Sequence, residues 1–217
     1  MAEKNNRKKR RAYLDSFQKN EKGNYEYHGD LYFWAGMKRP ARSGRQSQDE
    51  HPLRGGKPVY EERSLGRELT LLWGLCAGML CALIAAGCVE APGVMNCAYV
   101  LIPYTVNLVA GISVCWGLCR LTAGGNPLRA YICEASVMQI PGRAVCTAIG
   151  AGAAAAGELI WVFRNGMEGK TVGCILFFLL EGAVFAAALV MRYRVKQMNW
   201  EKKSTEVRSS QKRKSAV

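Results

Sequence analysis

Histidine is almost missing from this chain, with two in 217 residues, His28 and His51. Neither lies near a cysteine, so the nine cysteines have no ligand spacing of a zinc site. No nucleophile–base–acid arrangement is evident. No glycine-rich phosphate loop follows a strand, and Gly124-Gly125-Asn126 is too short a signal to count. Catalysis is therefore not expected, and no cofactor is implied. An early apolar core is lacking too. Residues 1–30 are charged throughout, so no cleavable secretory signal is expected there, and the first apolar span should serve as the insertion signal.

Charge is the next scarcity, and it is local. Of the 30 Lys and Arg, 16 fall in residues 1–68 and 9 in residues 192–217, leaving 5 between. A net charge of +13 raises nucleic acid as a partner. Without a stacking platform or a groove-reading motif, that reading yields to another. Basic segments flanking apolar spans are what membrane orientation requires.

What is present is length without charge. Residues 69–89 form an uncharged run that covers a hydrocarbon core of about 30 Å at 1.5 Å per residue. The second span is expected at 97–119, with Pro103 inside it, where a neighbouring helix must compensate the lost donor. The third, 144–163, repeats small residues every fourth position at Ala144, Ala148, Gly152 and Ala156, widened by Gly150, Ala153 and Gly157. Small residues let helix backbones approach closely. The fourth span is 171–191, stopped by Arg192, Arg194 and Lys196. Between spans two and three, Leu128, Tyr131, Ile132, Ala135 and Met138 fall at helical spacing. Asn126-Pro127 has the chemistry of a cap and first turn, so residues 127–140 read as a short amphipathic helix flat on the membrane.

The segment before the first span is a soluble piece of 68 residues. Residues 1–11 are a basic arm suited to anionic lipid headgroups. Residues 12–35 carry three aromatic-rich pieces, ending in Phe17, Tyr25-Glu26-Tyr27 and Leu31-Tyr32-Phe33-Trp34, separated by turn signals. These fit a small β-meander, which needs something to pack on. The alternative is a tail whose aromatics brush the lipid interface. Residues 36–58 read as a linker, after which Tyr60, Leu65 and Leu69 suggest helix. Residues 192–217 read as a basic tail.

The expected fold class is thus an all-α membrane protein with four transmembrane helices and both termini cytoplasmic. On that orientation 28 basic residues lie inside, and two, Arg164 and Lys170, lie in the outer turns.

Polar residues inside the spans are the candidate site. An acid near a bilayer centre costs about 2.5–3.5 kcal/mol on the insertion scale. Glu181 is the midpoint of its span by count. Glu158 lies roughly 7 Å outward of its own midpoint at the helical rise. Asn107 is level with Glu181, and Tyr104 with Glu158. If their helices face one another, the four make a polar cleft open to the outer side. Such a cleft suits a carrier or channel for a cation, proton or cationic solute. The competing reading is structural: Glu181 hydrogen-bonds Asn107 or a carbonyl and joins helices, and Glu158 reaches the interface or pairs with Arg164. Cys115 and Cys119, one turn apart, read as buried fillers rather than ligands. Cys88 and Cys97 flank the first outer turn and suit a bridge only in an oxidising compartment.

The first functional expectation is a non-catalytic membrane interaction or accessory protein. Its N-terminal aromatic segment would bind a cytosolic partner or fold onto the bundle, and its other partners would be the bilayer and a membrane protein or second copy on the small-residue face of span three. The carrier is the alternative.

Overall fold

The computed structural model describes residues 16–19, 24–27, 29–38, 60–61, 64–91, 93, 97–166 and 171–203. The basic arm, the linker from 39 to 59, Lys170 and the tail beyond 203 lie outside the described residues. Four helices are long and apolar enough to cross a membrane. They are α1 (Leu65–Cys88), α2 (Ala98–Gly124), α4 (Ile140–Asn165) and α5 (Thr171–Gln197), with a short α3 (Ala130–Ala135) before α4. Helix α4 packs against α2 and α5, and α1 packs against α5 and α2. The four therefore form a closed ring in which α2 and α5 occupy opposite corners.

Each helix presents a narrow buried stripe. In α1 it is Leu72, Cys76, Met79, Leu83 and Ala86. In α5 it is Cys174, Phe177, Glu181, Val184, Ala188 and Met191. These positions advance by three or four residues, so one side of each helix faces its neighbours. The other side is apolar but exposed, as at Ile84, Val109, Ile149 and Leu179. Water would penalise so much uncovered apolar surface, whereas hydrocarbon does not.

Helices α1 and α5 run further than charge-free runs indicate. Arg67 and Glu68 are inside α1, and Arg192, Arg194 and Lys196 inside α5. Charge marks the edge of the hydrocarbon, not the end of a helix. Glu68 is buried, and its carboxylate lies 3.6 Å from Arg194 Nη1, tying the two helices together there.

One end of the bundle is closed by a sheet. Strand β3 (Leu31–Lys38) is central. Along one edge it pairs with β6 (Met198–Lys203), the segment that follows α5 directly. Along its other edge lie β4 (Tyr60–Glu61) and β5 (Leu128–Arg129). All pairings are antiparallel. The register Trp34↔Trp200, Gly36↔Asn199, Met37↔Met198 leaves Ala35 as an extra residue on β3. That bulge shifts the alternation by one. Met37 thereby joins Trp34 and Tyr32 on the face toward the bundle, opposite Met198 and Trp200. Gly36, at φ 107°, takes the backbone conformation the bulge requires. Trp34 and Trp200 stack edge to face at 5.4 Å.

The aromatic segment is therefore not one three-stranded meander. Among the described residues, strands β1 (Phe17–Lys19) and β2 (Tyr25–Tyr27) pair only with each other, and β3 pairs with strands far away in sequence. The apolar face of β3 is covered by the main core, and two edges of distant chain satisfy its backbone. The hairpin docks by its rings. Tyr27 and Phe17 lie 6.0 and 6.3 Å from Tyr131 of α3. The Tyr27 hydroxyl also accepts the Ala130 amide at 3.2 Å. Burial raises this phenol above its ordinary value, and the Ala130 amide partly offsets that.

Residues 192–217 are likewise not simply a tail, since 198–203 form β6. Its Lys202 lies 2.7 Å from Asp30, and that contact holds the ammonium above its usual range. Nor do residues 127–140 form one flat helix. Leu128 and Arg129 are claimed by β3, and Asn126 Oδ1 accepts the Trp34 amide at 3.4 Å instead of capping a helix. Six residues of helix remain, and the turn after them leads straight into α4. Tyr60, read as helical, is a strand residue.

Candidate functional site

The four polar residues singled out within the spans are all buried. Two of them meet. Asn107 Nδ2 donates to Glu181 Oε2 at 2.9 Å. These residues stand on α2 and α5, at opposite corners, so the bond crosses the middle of the bundle. The crossing is made possible by α4. A Cβ placed on Gly150 would lie 2.9 Å from Asn107 Cβ, 3.1 Å from its Cα and 3.2 Å from its amide nitrogen. Hydrogen at that position lets α2 approach until an asparagine reaches across.

The other two are held separately. The Tyr104 hydroxyl donates to the Leu83 carbonyl of α1 at 2.8 Å, in the notch left by Gly87. Its ring packs on Phe177 at 6.4 Å. Glu158 lies toward the end remote from the sheet. Its Oε1 accepts the Gly93 amide at 3.3 Å and faces Cys174 Sγ at 3.6 Å. A side chain at Gly93 would run into this carboxyl. Glu158 thus fastens the α1–α2 connection to α4, and its close contacts do not include Arg164.

The matched depths proposed from sequence correspond to a direct bond in one case only. The four side chains do not line one open cleft. They occupy three places, each against a neighbouring helix or connection. What they can do chemically is limited by their partners. Still, Asn107 Oδ1, Glu181 Oε1 and Glu158 Oε2 are buried and have no hydrogen-bond partner among the described residues. Each retains capacity for one more donor or for a cation.

Three further polar groups escaped sequence reasoning. Glu68 is buried at the sheet end, and its signal was an acid between two helical apolar positions, Leu65 and Leu72. Thr147 and Ser136 are buried and return their hydroxyls to carbonyls four residues back, at 3.1 and 2.6 Å. Such local bonds leave no mark in sequence spacing. Among the cysteines, Cys76 of α1 lies against Cys115, which lies against Cys119. Among the described residues no group of three His, Cys, Asp or Glu is placed to hold a metal ion. All nine cysteines are free, Cys88 and Cys97 included.

Comparison of the chain with protein-family models, with characterised proteins and with solved structures finds no match.

Proposed function

We propose that this chain is a multi-pass protein of the cell membrane with both termini cytoplasmic, and that it acts without catalysis as an interaction or accessory protein. The observation that carries this reading is the bond between Asn107 and Glu181. The acid at the middle of its span is engaged with the asparagine level with it, in a position where the two join opposite helices. A transport site would hold such groups available to a passing solute.

Orientation is supported by where charge falls. The sheet end gathers Arg120, Arg129, Arg192, Arg194, Lys196, Lys202 and Lys203, and the remote end carries Arg164. Cytoplasmic faces hold such an excess. In intact cells, a membrane-impermeant maleimide should modify Asn165→Cys at the remote end and spare Glu201→Cys in β6, with sites mapped by peptide mass. Modification of Glu201→Cys alone would invert the assignment.

The N-terminal aromatic segment contributes to the fold, since β3 is built into the bundle's cap. The partner surface then lies within the membrane. Gly152, Ala153 and Ala156 of α4 are exposed, and a side chain at Gly152 would meet nothing within 4 Å. This strip suits close approach of a second copy or another membrane protein. The basic termini suit anionic headgroups.

One observation favours the second reading, a small carrier or channel for a cation, proton or cationic solute. It is the set of unpartnered oxygens on Asn107, Glu181 and Glu158. Replacing Glu181 separates the two readings.

A further inference from the structure

A groove of ≈ 550 Å³ lies where α2 ends, between it and α3. Arg120, Ala123, Gly124, Tyr131, Ile132 and Ala135 line it. Its walls are apolar except for the Arg120 guanidinium and the Tyr131 hydroxyl. Arg120 is the first charged residue after the uncharged run from Ala91 to Cys119, so it stands where hydrocarbon gives way to headgroups. It is exposed, with its guanidinium 5.4 Å from the centre of the Trp116 ring. That indole is 58% exposed and marks the same interface.

The charge at this groove is one-sided. Among the described residues, no carboxylate pairs with Arg120. A second guanidinium stands beside the Tyr131 wall, with Arg129 Nη1 at 3.5 Å from the Tyr131 hydroxyl. The acid of α3, Glu134, does not line the groove. A cationic rim over an apolar floor, at headgroup depth, matches an amphiphile with an anionic head.

We propose that this groove binds an anionic glycerophospholipid, with its phosphate on Arg120 and an acyl chain along Ala123, Ile132 and Ala135. Guanidinium is the side chain suited to phosphate, through paired donors in a fixed fork. A zwitterionic lipid would bring a trimethylammonium group toward Arg129 and bind less well. The proposal needs the chain to sit in a bilayer, but not the accessory reading, so the two can fail separately.

Native mass spectrometry of the full-length protein tests it, by titration with phosphatidylglycerol and phosphatidylcholine of matched acyl chains. Phosphatidylglycerol should bind the more tightly. Arg120→Gln should weaken it on the order of fivefold, the equivalent of about 1 kcal/mol for one interfacial basic residue, and weaken phosphatidylcholine less, because its choline charge already offsets part of the same phosphate contact. Ala123→Trp keeps the charge, fills the groove and should weaken both lipids. Inorganic phosphate at the same concentration should not displace phosphatidylglycerol. Wild-type lipid preference in Arg120→Gln would overturn the proposal, as would displacement by inorganic phosphate, which would make the site one for free anions. Should Arg120→Gln fail to fold, folded Ala123→Trp with undiminished phosphatidylglycerol binding overturns it equally.

Discussion

Glu181→Ala is expected to destabilise the bundle by about 1–2 kcal/mol, and Glu181→Gln to stay close to wild type. The alanine leaves the Asn107 amide buried with its acceptor gone, and a buried donor without a partner costs roughly 1–3 kcal/mol. In lipid, single interhelical bonds measure lower, about 0.6–2 kcal/mol, because the separated helices find other partners. The void left by the removed atoms adds to the loss. Glutamine preserves both the volume and a carbonyl oxygen facing Asn107 Nδ2, so the cross-bundle bond survives. Titration does not. Thermal unfolding read with a thiol-reactive dye suits this chain, because Cys76, Cys133 and Cys174 are buried until the fold opens. The same two variants in proteoliposomes decide between the functional readings. An accessory protein should lose assembly in the alanine and nothing in the glutamine. Cation or proton flux in the wild type that disappears in Glu181→Gln, with stability intact, would instead establish the carrier.

The pairing behind that expectation was partly legible in the sequence, and the reason is the bilayer. An apolar solvent makes each polar residue in a span conspicuous, so Asn107, Tyr104, Glu158 and Glu181 stand out by type alone. Depth followed from counting along helices of fixed rise, and it put Asn107 level with Glu181. Direction around the helix axis was harder. Tyr104 turns to α1 and Glu158 to the α1–α2 connection, and equal depth says nothing about either. The four spans were legible for the same reason, to within the few residues by which each helix overruns the charges at its ends. The sheet was not. Leu31–Trp34 stood out as an apolar aromatic piece between turn signals, but β3 pairs with β6 from the far end of the chain, and no local pattern names a partner that remote. Strand β6, Met-Asn-Trp-Glu-Lys-Lys, reads as part of a basic tail by its composition, whereas Lys202 contacts Asp30 and Lys203 lies over the Phe33 ring. The small-residue repeat of α4 was visible, but its face was divided otherwise than the four-residue spacing indicates. Ala144 and Ala148 are buried, whereas Gly152 and Ala156 are exposed.

That division makes two glycines on the same helix respond with opposite sign. Alanine in place of glycine inside a helix is ordinarily favourable by about 0.8–1 kcal/mol. At Gly152 nothing lies within 4 Å of the new methyl, so Gly152→Ala should raise thermal stability slightly or leave it unchanged. At Gly150 the methyl would press on Asn107, at 2.9 Å from its Cβ and 3.1 Å from its Cα. The obstruction is backbone of α2, which no rotamer change relieves. Overpacking of this kind costs about 1–3 kcal/mol, more than the propensity gain. Gly150→Ala should therefore lower the unfolding midpoint, and Gly150→Leu should prevent assembly of the bundle. The loss has a route through the polar pair as well. Pushing α2 outward lengthens the 2.9 Å bond from Asn107 to Glu181, so Gly150→Ala and Glu181→Ala should combine to less than the sum of their separate effects. Strict additivity in that double-mutant cycle would mean that Gly150 does not hold Asn107 within reach of Glu181. Gly152→Leu serves as the counterpart on the outer face: full monomer stability with weakened self-association or partner capture is the result expected if α4 is the membrane interface, and unchanged association would move that interface elsewhere on the bundle.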